Sequence, residues 1–557
     1  MDSMVNHYTV NKKPRREDAY TPGGRAGARP NRAVTVYGNL IRRTFKDKPI
    51  IIGGIEASLR RLAHYDYWQD KLKRSVLLDS GADILLYGMG EHSIVEVADA
   101  LDGGLPVDQI TFVNGSVFTA RAAPGALDNV FDYELLPLHR DELERDRLTY
   151  ARSFNIQQQN MDPITGGRLV EPYPNGVYVV QNPPSAPLTE REMDEVAELP
   201  YARHWHPDYD VAGGIPAFDE IRFSISSNRG CFGECSFCAL AFHQGRMVQV
   251  RSRESIMREA EALTHDPEFK GYINDVGGPR RTSSSPRAKS SSPGRACKNR
   301  RCLWPNVCRN MDTMHEDAYA ELLRDLRQIP GVKKVFVRSG IRFDYTMADA
   351  SDKFLVELLQ HHVSGQLRLA PEHVSDAVLS VMGKPRREVS SDAFVRALRA
   401  LSPRVRPQAV RGALPHLEPS GFTTMKEAVE LAEAVRDMGY MPEQVQDFYP
   451  TPSTMSTCMF YTGVDPRTMK PVYIPRDPHE KAMQRALIQY RKPENYKLVK
   501  EALRKAGART SSATVPSASS ARATQAGCGQ RKDAARAGSG QTRQRHVQRA
   551  TKQARGR

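Results

Sequence analysis

Three thiols, Cys231, Cys235 and Cys238, stand within eight residues at C-x3-C-x2-C spacing in GCFGECSFC. Thiolates at this density serve iron–sulfur clusters or soft metals, because one loop can aim several strongly donating sulfurs at a single point. Three ligands from one loop can hold three irons of a 4Fe-4S cluster, leaving the fourth iron open to a small molecule. Zinc is the rival occupant, since short Cys pairs suit it, but a structural zinc site wants four ligands. No fourth Cys stands close, and His243 is the candidate that could complete a zinc set.

A second group, Cys297, Cys302 and Cys308 in CKNRRCLWPNVC, has C-x4-C-x5-C spacing. It reads as a further metal loop for an auxiliary iron–sulfur cluster or zinc, completed by a ligand from elsewhere. Cys458 reads as a buried single thiol, and Cys528 as a tail thiol without a role. With six of eight Cys in two clusters, the 557-residue chain is not a disulfide scaffold, and a reducing cytoplasm is the expected setting.

Hydrophobic content of 40% and charged content of 26% fit a globular protein. No run reaches the roughly 18 apolar residues of a membrane span, and the first residues carry no apolar signal core, so no membrane partner is expected. The net charge is +15, of which residues 280–295 carry +5 and residues 507–557 carry +10. The basic character therefore belongs to two low-complexity segments, read as a disordered insert and tail, and nucleic acid is only a weak candidate partner.

The elements that must position the thiols follow an α/β rhythm. Residues 1–35 read as extended surface chain, and Val34–Arg43 as a helix or strand–helix edge. Pro49–Glu56 and Ala82–Glu91 read as buried strands ending in glycines, with a helix over His92–Leu101, which predicts a parallel open sheet. Glycines at such strand ends permit close backbone approach to a ligand. Asp141–Phe154 reads as helix, Met161–Pro187 as loop, and 188–199 as a helix capped by Thr189. From Glu220–Ile225 onward, strands are expected at Gly271–Pro279, Val332–Arg338, Gly365–Leu369 and Glu443–Phe448. The helices between them are Ser252–Leu263, His315–Arg327, Asp352–His361, Ser375–Met382 and Lys426–Met438. Repeated βα units predict a full or partial β/α barrel with its site at the strands' C-terminal rim.

The thiol loop after the first of these strands is similar to the signature of the radical S-adenosylmethionine (SAM) superfamily. GCFGECSFCALAFHQGR, GYINDVGGP, CKNRRCLWPNVC, KKVFVRSGIRFDY, LRLAPEHVSDAVLSVMGKP and GYMPEQVQDFYPTP together resemble the YgiQ family of radical SAM proteins, over most of residues 1–279, 296–395 and 421–506. The resemblance implies a 4Fe-4S cluster on Cys231, Cys235 and Cys238, with SAM on its open iron. It also implies cleavage of SAM to a 5′-deoxyadenosyl radical and hydrogen abstraction from a substrate it does not name. A reductant such as flavodoxin or ferredoxin is the implied partner. Phe237 would lie near the adenine, Gly277, Gly278 and Pro279 at the SAM amino group, and Arg338, Ser339 and Glu372 near its ribose and carboxylate. Glu372, His373 and Asp344 are further rim candidates for structural or SAM-contacting roles.

The implied fold is a partial β/α barrel, the radical SAM core, preceded by an incomplete cobalamin-binding-like α/β domain. No Asp-x-His-x-x-Gly motif occurs before Ile50, so cobalamin is not expected. The expected divisions are 1–125 for that domain, 126–215 for a connection, 216–480 for the core, 481–506 for a helical segment and 507–557 for the tail. Residues 280–295, 397–420 and 507–557 depart from the family pattern and are rich in Arg, Ala, Ser, Pro and Gly. The pattern resumes directly after the first two, which suggests shifted reading frames in a GC-rich gene. The second would remove a barrel strand, leaving a non-catalytic relative as one alternative. A zinc-stabilised nucleic-acid-binding protein is the other.

Overall fold

The computed structural model describes residues 2–121, 130–137, 143, 145–231, 233–277, 301–308, 316–347, 351–363, 368–388, 391–401, 414–417, 421–438, 441–442, 445 and 447–508. They divide into two compact units, one of residues 2–423 with 447–474, the other of 424–445 with 475–508.

The first unit opens with a helix rather than extended chain. Ser3–His7 is helical, with Ser3, Met4 and His7 buried, and Asp18 ties the following loop to His7 and Arg29. Burial is therefore greater here than the polar composition suggests, because the charges are paired. The helix expected over Val34–Arg43 forms at Ala33–Thr44.

The strands are β1 (Ile51–Ile52), β2 (His64–Asp66), β3 (Lys71–Lys73), β4 (Ile84–Leu86), β5 (Ser116–Arg121), β6 (Tyr133–Leu135), β7 (Arg168–Tyr173) and β8 (Val177–Gln181). β2 and β3 form a separate hairpin, and the other six make one sheet in the order β1-β4-β5-β8-β7-β6. Only β1·β4 and β6·β7 are parallel, so the sheet is mixed, correcting the expected parallel arrangement. Most of it comes from residues assigned to a connection and to loop. The turn-forming residues of 161–187 sit at the strand ends, as in Pro174–Gly176, while the residues between them alternate. Leu169 and Val179 face one core cluster, and Val170 and Val180 face the other.

Glu171 breaks this alternation. It is fully buried, and accepts hydrogen bonds from the Ala63 amide at 3.0 Å and the Tyr173 hydroxyl at 2.5 Å. Burial pushes its pKa from the usual 4.5 up to about 7, against the pull of those two donors. The folded state then binds the proton that the unfolded chain has released, so stability falls as pH rises from about 4.5 to about 7. We expect urea unfolding to register a loss of about 2–3 kcal/mol from this group between roughly pH 5 and pH 8, and Glu171→Gln to remove most of that slope.

The helix after the sheet, Glu190–Ala197, begins as the sequence predicts. Thr189 Oγ1 accepts the Glu192 amide at 3.3 Å, and Glu192 accepts the Thr189 amide at 2.7 Å, a reciprocal cap. Thr189→Ala should cost about 1 kcal/mol in chemical denaturation.

Helix Pro216–Ile221 then takes the first residues of the strand expected at Glu220–Ile225. The strands that follow are β9 (Ser224–Ser226), β10 (Asn228–Arg229), β11 (Gln249–Val250), β12 (Tyr272–Ile273), β13 (Asp275–Gly277), β14 (Lys334–Val335), β15 (Arg368–Glu372) and β16 (Leu414–Leu417). β9·β13, β12·β14 and β15·β16 pair in parallel, while β10·β11 is antiparallel. The Val276 amide donates to the Phe336 carbonyl, which links β13 to the end of β14. Helices Arg253–Thr264, Glu316–Leu326, Lys353–Glu357, Asp376–Met382 and Ser391–Leu401 lie between these strands in sequence. The predicted stripe Tyr319, Leu322, Leu323 and Leu326 packs with Ile225, Ile273, Val276 and Val335 in one core.

Two expectations change here. Segment 397–420 does not lack a strand: β16 forms at Leu414–Leu417 and pairs with β15. Its first residues complete helix Ser391–Leu401, whose Phe394, Leu398 and Leu401 are buried in that same core. The segment keeps enough apolar side chains at helical spacing to pack, despite its unusual composition. Of the strand expected over Glu443–Phe448, the described residues 445, 447 and 448 are not in a strand. The insert at 280–295 and the tail beyond Ala508 lie outside the described residues.

The second unit is helical. Met425–Asp437, Pro478–Ile488 and Tyr496–Lys505 pack around Val429, Met483, Leu487, Val499 and Leu503. Among the described residues no helix is long and apolar enough to cross a membrane.

Candidate functional site

The thiol loop leaves β9, passes through β10 and enters helix Ala239–Gln244. Gly230 has a φ of +82°, and a Cβ there would overlap the Met247 carbonyl, so glycine alone fits the turn. Main-chain contacts pin the loop: Cys231 N donates to Gly245 O at 3.2 Å, Ser236 N to Met382 O at 2.8 Å, and Ser456 N to Ser236 O at 2.9 Å. Glu234, between the first two cysteines, has a φ of +46° and pairs with Arg246 at 3.0 Å. It also accepts from Gln158 Nε2 at 2.9 Å, so this strained residue is tied down by its side chain.

Arg342 meets two of the three thiols. Its Nη1 lies 4.0 Å from Cys231 Sγ and 3.8 Å from Cys235 Sγ. Asp344 holds the other side of the guanidinium through Nε at 3.1 Å and through Nη2. Burial opposes the Arg342 charge, but Asp344 and then the two cysteines outweigh it and hold its pKa well above the usual value. The guanidinium lies against Gly233, where any Cβ would overlap it.

This donor set fits an iron–sulfur cluster. Three soft thiols share one loop, and a buried cation stands where it would offset the negative charge of thiolate ligation. Among the described residues no three His, Cys, Asp or Glu side chains converge as a finished metal cage.

Of the residues expected around SAM, Gly277, Arg338 and Ser339 lie at the ends of neighbouring parallel strands, and Glu372 ends a strand of a separate parallel pair. Gly277 closes β13 in register with Ser226 of β9, and a Cβ on it would overlap Ser339 Oγ. The Arg338 and Ser339 amides donate to Asp275 Oδ1 at 2.7 and 3.2 Å, so Asp275 shapes the turn after β14. Glu372 ends β15 at φ +67°, buried, with one oxygen 3.2 Å from Lys384 Nζ. Lys384 in turn lies 6.0 Å from the centre of the half-buried Phe237 ring, which connects Glu372 to the thiol loop. Gly278 and Pro279 lie outside the described residues.

A family model described as "Radical SAM N-terminal" matches residues 1–224, and one described as "Domain of unknown function (DUF3362)" matches residues 443–557. A UPF0313 protein of Clostridium botulinum (strain ATCC 19397 / Type A) is 51% identical over 507 residues, covering 91% of this chain and 77% of that protein. One from Clostridium perfringens (strain 13 / Type A) is 51% identical over 508 residues, covering 91% and 75%. The chain belongs to the UPF0313 family of radical SAM proteins.

The YgiQ-type resemblance thus holds across most of this UPF0313 chain, and the second family match takes in the tail that departs from the expected pattern. Among solved structures, the radical SAM methyltransferase TsrM from Kitasatospora setae with cobalamin and [4Fe-4S] cluster bound has a TM-score of 0.43 at 13% identity. The match covers 83% of this chain and 64% of that one. The cobalamin-dependent SAM radical enzyme OxsB, with aqua-cobalamin and SAM bound, has a TM-score of 0.37 at 13% identity, over 71% and 40%.

Other candidates in the UPF0313 chain have structural surroundings. Asp344 is engaged by Arg342, and buried His373 accepts the Ser375 amide at 3.0 Å. His243, the possible zinc ligand, lines a pocket beside Tyr87 and Gly88, and burial pushes its pKa down to about 4. In the second group, Cys308 N donates to Cys302 O at 2.8 Å, and both cysteines pack against Leu303 and Tyr345. Cys297 and Cys528 lie outside the described residues. Cys458 is buried as expected, and burial pushes its thiol pKa up.

Sequence reasoning missed Arg342, Asp275, Lys384 and Arg301. Arg301 sits at the head of the second cysteine loop, 3.8 Å from Glu234 in the first. Arg342 falls inside the quoted stretch KKVFVRSGIRFDY, but nothing in its spacing marks a partner 107 positions away.

Proposed function

We propose that this UPF0313 chain is a radical SAM enzyme in which Cys231, Cys235 and Cys238 hold a 4Fe-4S cluster that binds SAM. The observation that carries this reading is one shared edge. The thiol loop after β9, Gly277 at the end of β13 and Ser339 after β14 leave parallel strands on the same side. The parallel pairs and the helices between them support a partial β/α barrel as the core.

The chemistry supplied by a cluster held there is one-electron cleavage of SAM to a 5′-deoxyadenosyl radical, which abstracts hydrogen from a substrate. The chain's own residues position and shield. Arg342 offsets negative charge beside two sulfurs, and the anchored loop keeps the three thiols together. Gly277 permits close backbone approach, Phe237 offers an aromatic face, and Glu372 presents a fixed carboxylate near Lys384. A small electron-carrier protein such as a flavodoxin or ferredoxin is the proposed reductant, and the cytoplasm the proposed setting. Cys297, Cys302 and Cys308 are the proposed second metal loop.

Anaerobic reconstitution with iron and sulfide, then reduction and addition of SAM, tests the reading. A brown protein that releases 5′-deoxyadenosine is the expected result. A colourless zinc protein that releases none would overturn it.

A further inference from the structure

A pocket outside the SAM-facing edge lies where the glycine-rich turn after β4, Tyr87-Gly88-Met89, meets the helix that follows the thiols. Its empty volume, including space open to solvent, is about 500 Å³, and its walls include Met161, Pro184, Ala186, Phe242 and His243. His243 Nδ1 is buried there without a hydrogen-bond partner among the described residues.

Behind this wall sits Arg61, 1% exposed. Its Nε donates to Gln181 Oε1 at 2.7 Å, its Nη1 to Ser58 O at 2.8 Å, and its Nη2 to Met161 Sδ at 2.9 Å. Its guanidinium carbon lies 4.1 Å from the Phe242 ring centre and 4.5 Å from that of Tyr87. None of these partners is an anion. Three of them, Tyr87, Met161 and Phe242, are pocket walls. Burial lowers the Arg61 pKa to about 10, so it stays charged at neutral pH. A buried cation without a counter-ion is costly, and a thioether is a weak acceptor for a guanidinium N–H. The nearby Arg229, by contrast, is paired with Glu91.

We propose that this pocket binds a small carboxylate with an apolar or aromatic body. Its oxygens are drawn to the Arg61 charge, where Met161 sulfur now stands, and its body rests on Phe242, Tyr87 and the prolines. A carboxylate supplies the paired oxygens a guanidinium favours, and no acidic side chain is among the lining residues to pair with a cation. The pocket borders the thiol loop at Gly245, but its proposed ligand makes no use of the cluster chemistry.

The test is calorimetric titration of the full chain with benzoate, its neutral isostere benzamide and the cation benzylammonium. Benzoate should bind at least about tenfold more tightly than either, since a nearby buried charge discriminates strongly in low dielectric. Arg61→Met should abolish the preference. Because that change lies in the core, Ala186→Trp is the second variant. Ala186 is exposed at the pocket lip, so a bulky ring there should block benzoate while leaving the thermal midpoint of the free protein unchanged. Equal binding of benzamide, benzoate binding that survives Ala186→Trp, or no benzoate binding at millimolar concentration would each overturn the proposal.

Discussion

Cys231→Ala, Cys235→Ala and Cys238→Ala should each reduce SAM-derived 5′-deoxyadenosine to background and remove the visible absorbance of the reconstituted chain. A cluster held by three protein thiolates has no spare ligand. The loss should therefore exceed the roughly 10–100-fold typical of changes behind a metal's direct ligands. The fold should survive, because the loop is pinned by main-chain bonds from Cys231, Ser236 and Ser456 rather than by sulfur. Cys458→Ala is the control: this thiol lies in helix Met455–Thr462, buried among Met459 and Phe460, and should leave cluster and turnover in place. Activity retained in any of the three loop variants would remove that cysteine from the proposed ligand set.

Arg342→Met should cost about 3–5 kcal/mol in urea unfolding of the metal-free chain, because it leaves the Asp344 carboxylate buried without its partner. Asp344 is 6% exposed and makes a bidentate pair with this guanidinium, while its Oδ1 also accepts the Tyr345 amide at 3.0 Å. The double variant Arg342→Met with Asp344→Leu should recover most of the loss, since removing both charges removes the penalty. A purely structural salt bridge would stop there. If Arg342 also serves the thiols, the single variant will in addition lower the reduction potential of a reconstituted cluster. A cation close to two of its sulfurs favours the more negative reduced state, and that contribution disappears with the guanidinium. An unchanged potential in a folded, loaded variant would confine Arg342 to stability.

The elements that were legible share one property: their signal is local. The cap at Thr189, the helix expected over Ser252–Leu263 and the apolar stripe of Glu316–Leu326 depend on residues three or four positions apart. The hairpin β7–β8 was misread because its glycine, proline and asparagine residues dominate the composition, although the strands between them alternate. β16 was misread for a related reason. Its segment looks foreign by composition, yet a parallel strand is stabilised by the neighbour it pairs with, here β15, which lies more than forty positions earlier.

By itself the sequence determined the thiol loop, the alternation of strands and helices that follows it, and the family to which the chain belongs. Ligand spacing and helix periodicity are written within short windows, where side-chain type alone carries the meaning. Tertiary structure decided what surrounds the thiols. The Arg342 guanidinium reaches two sulfurs from the start of helix Phe343–Thr346, Asp275 fixes the turn of Arg338 and Ser339, and Lys384 joins Glu372 to Phe237. It also buried Arg61 behind a pocket wall with no carboxylate partner among the described residues. Electrostatic partners are set by distance in space, and in an α/β chain that distance is fixed only when strands far apart in sequence pair.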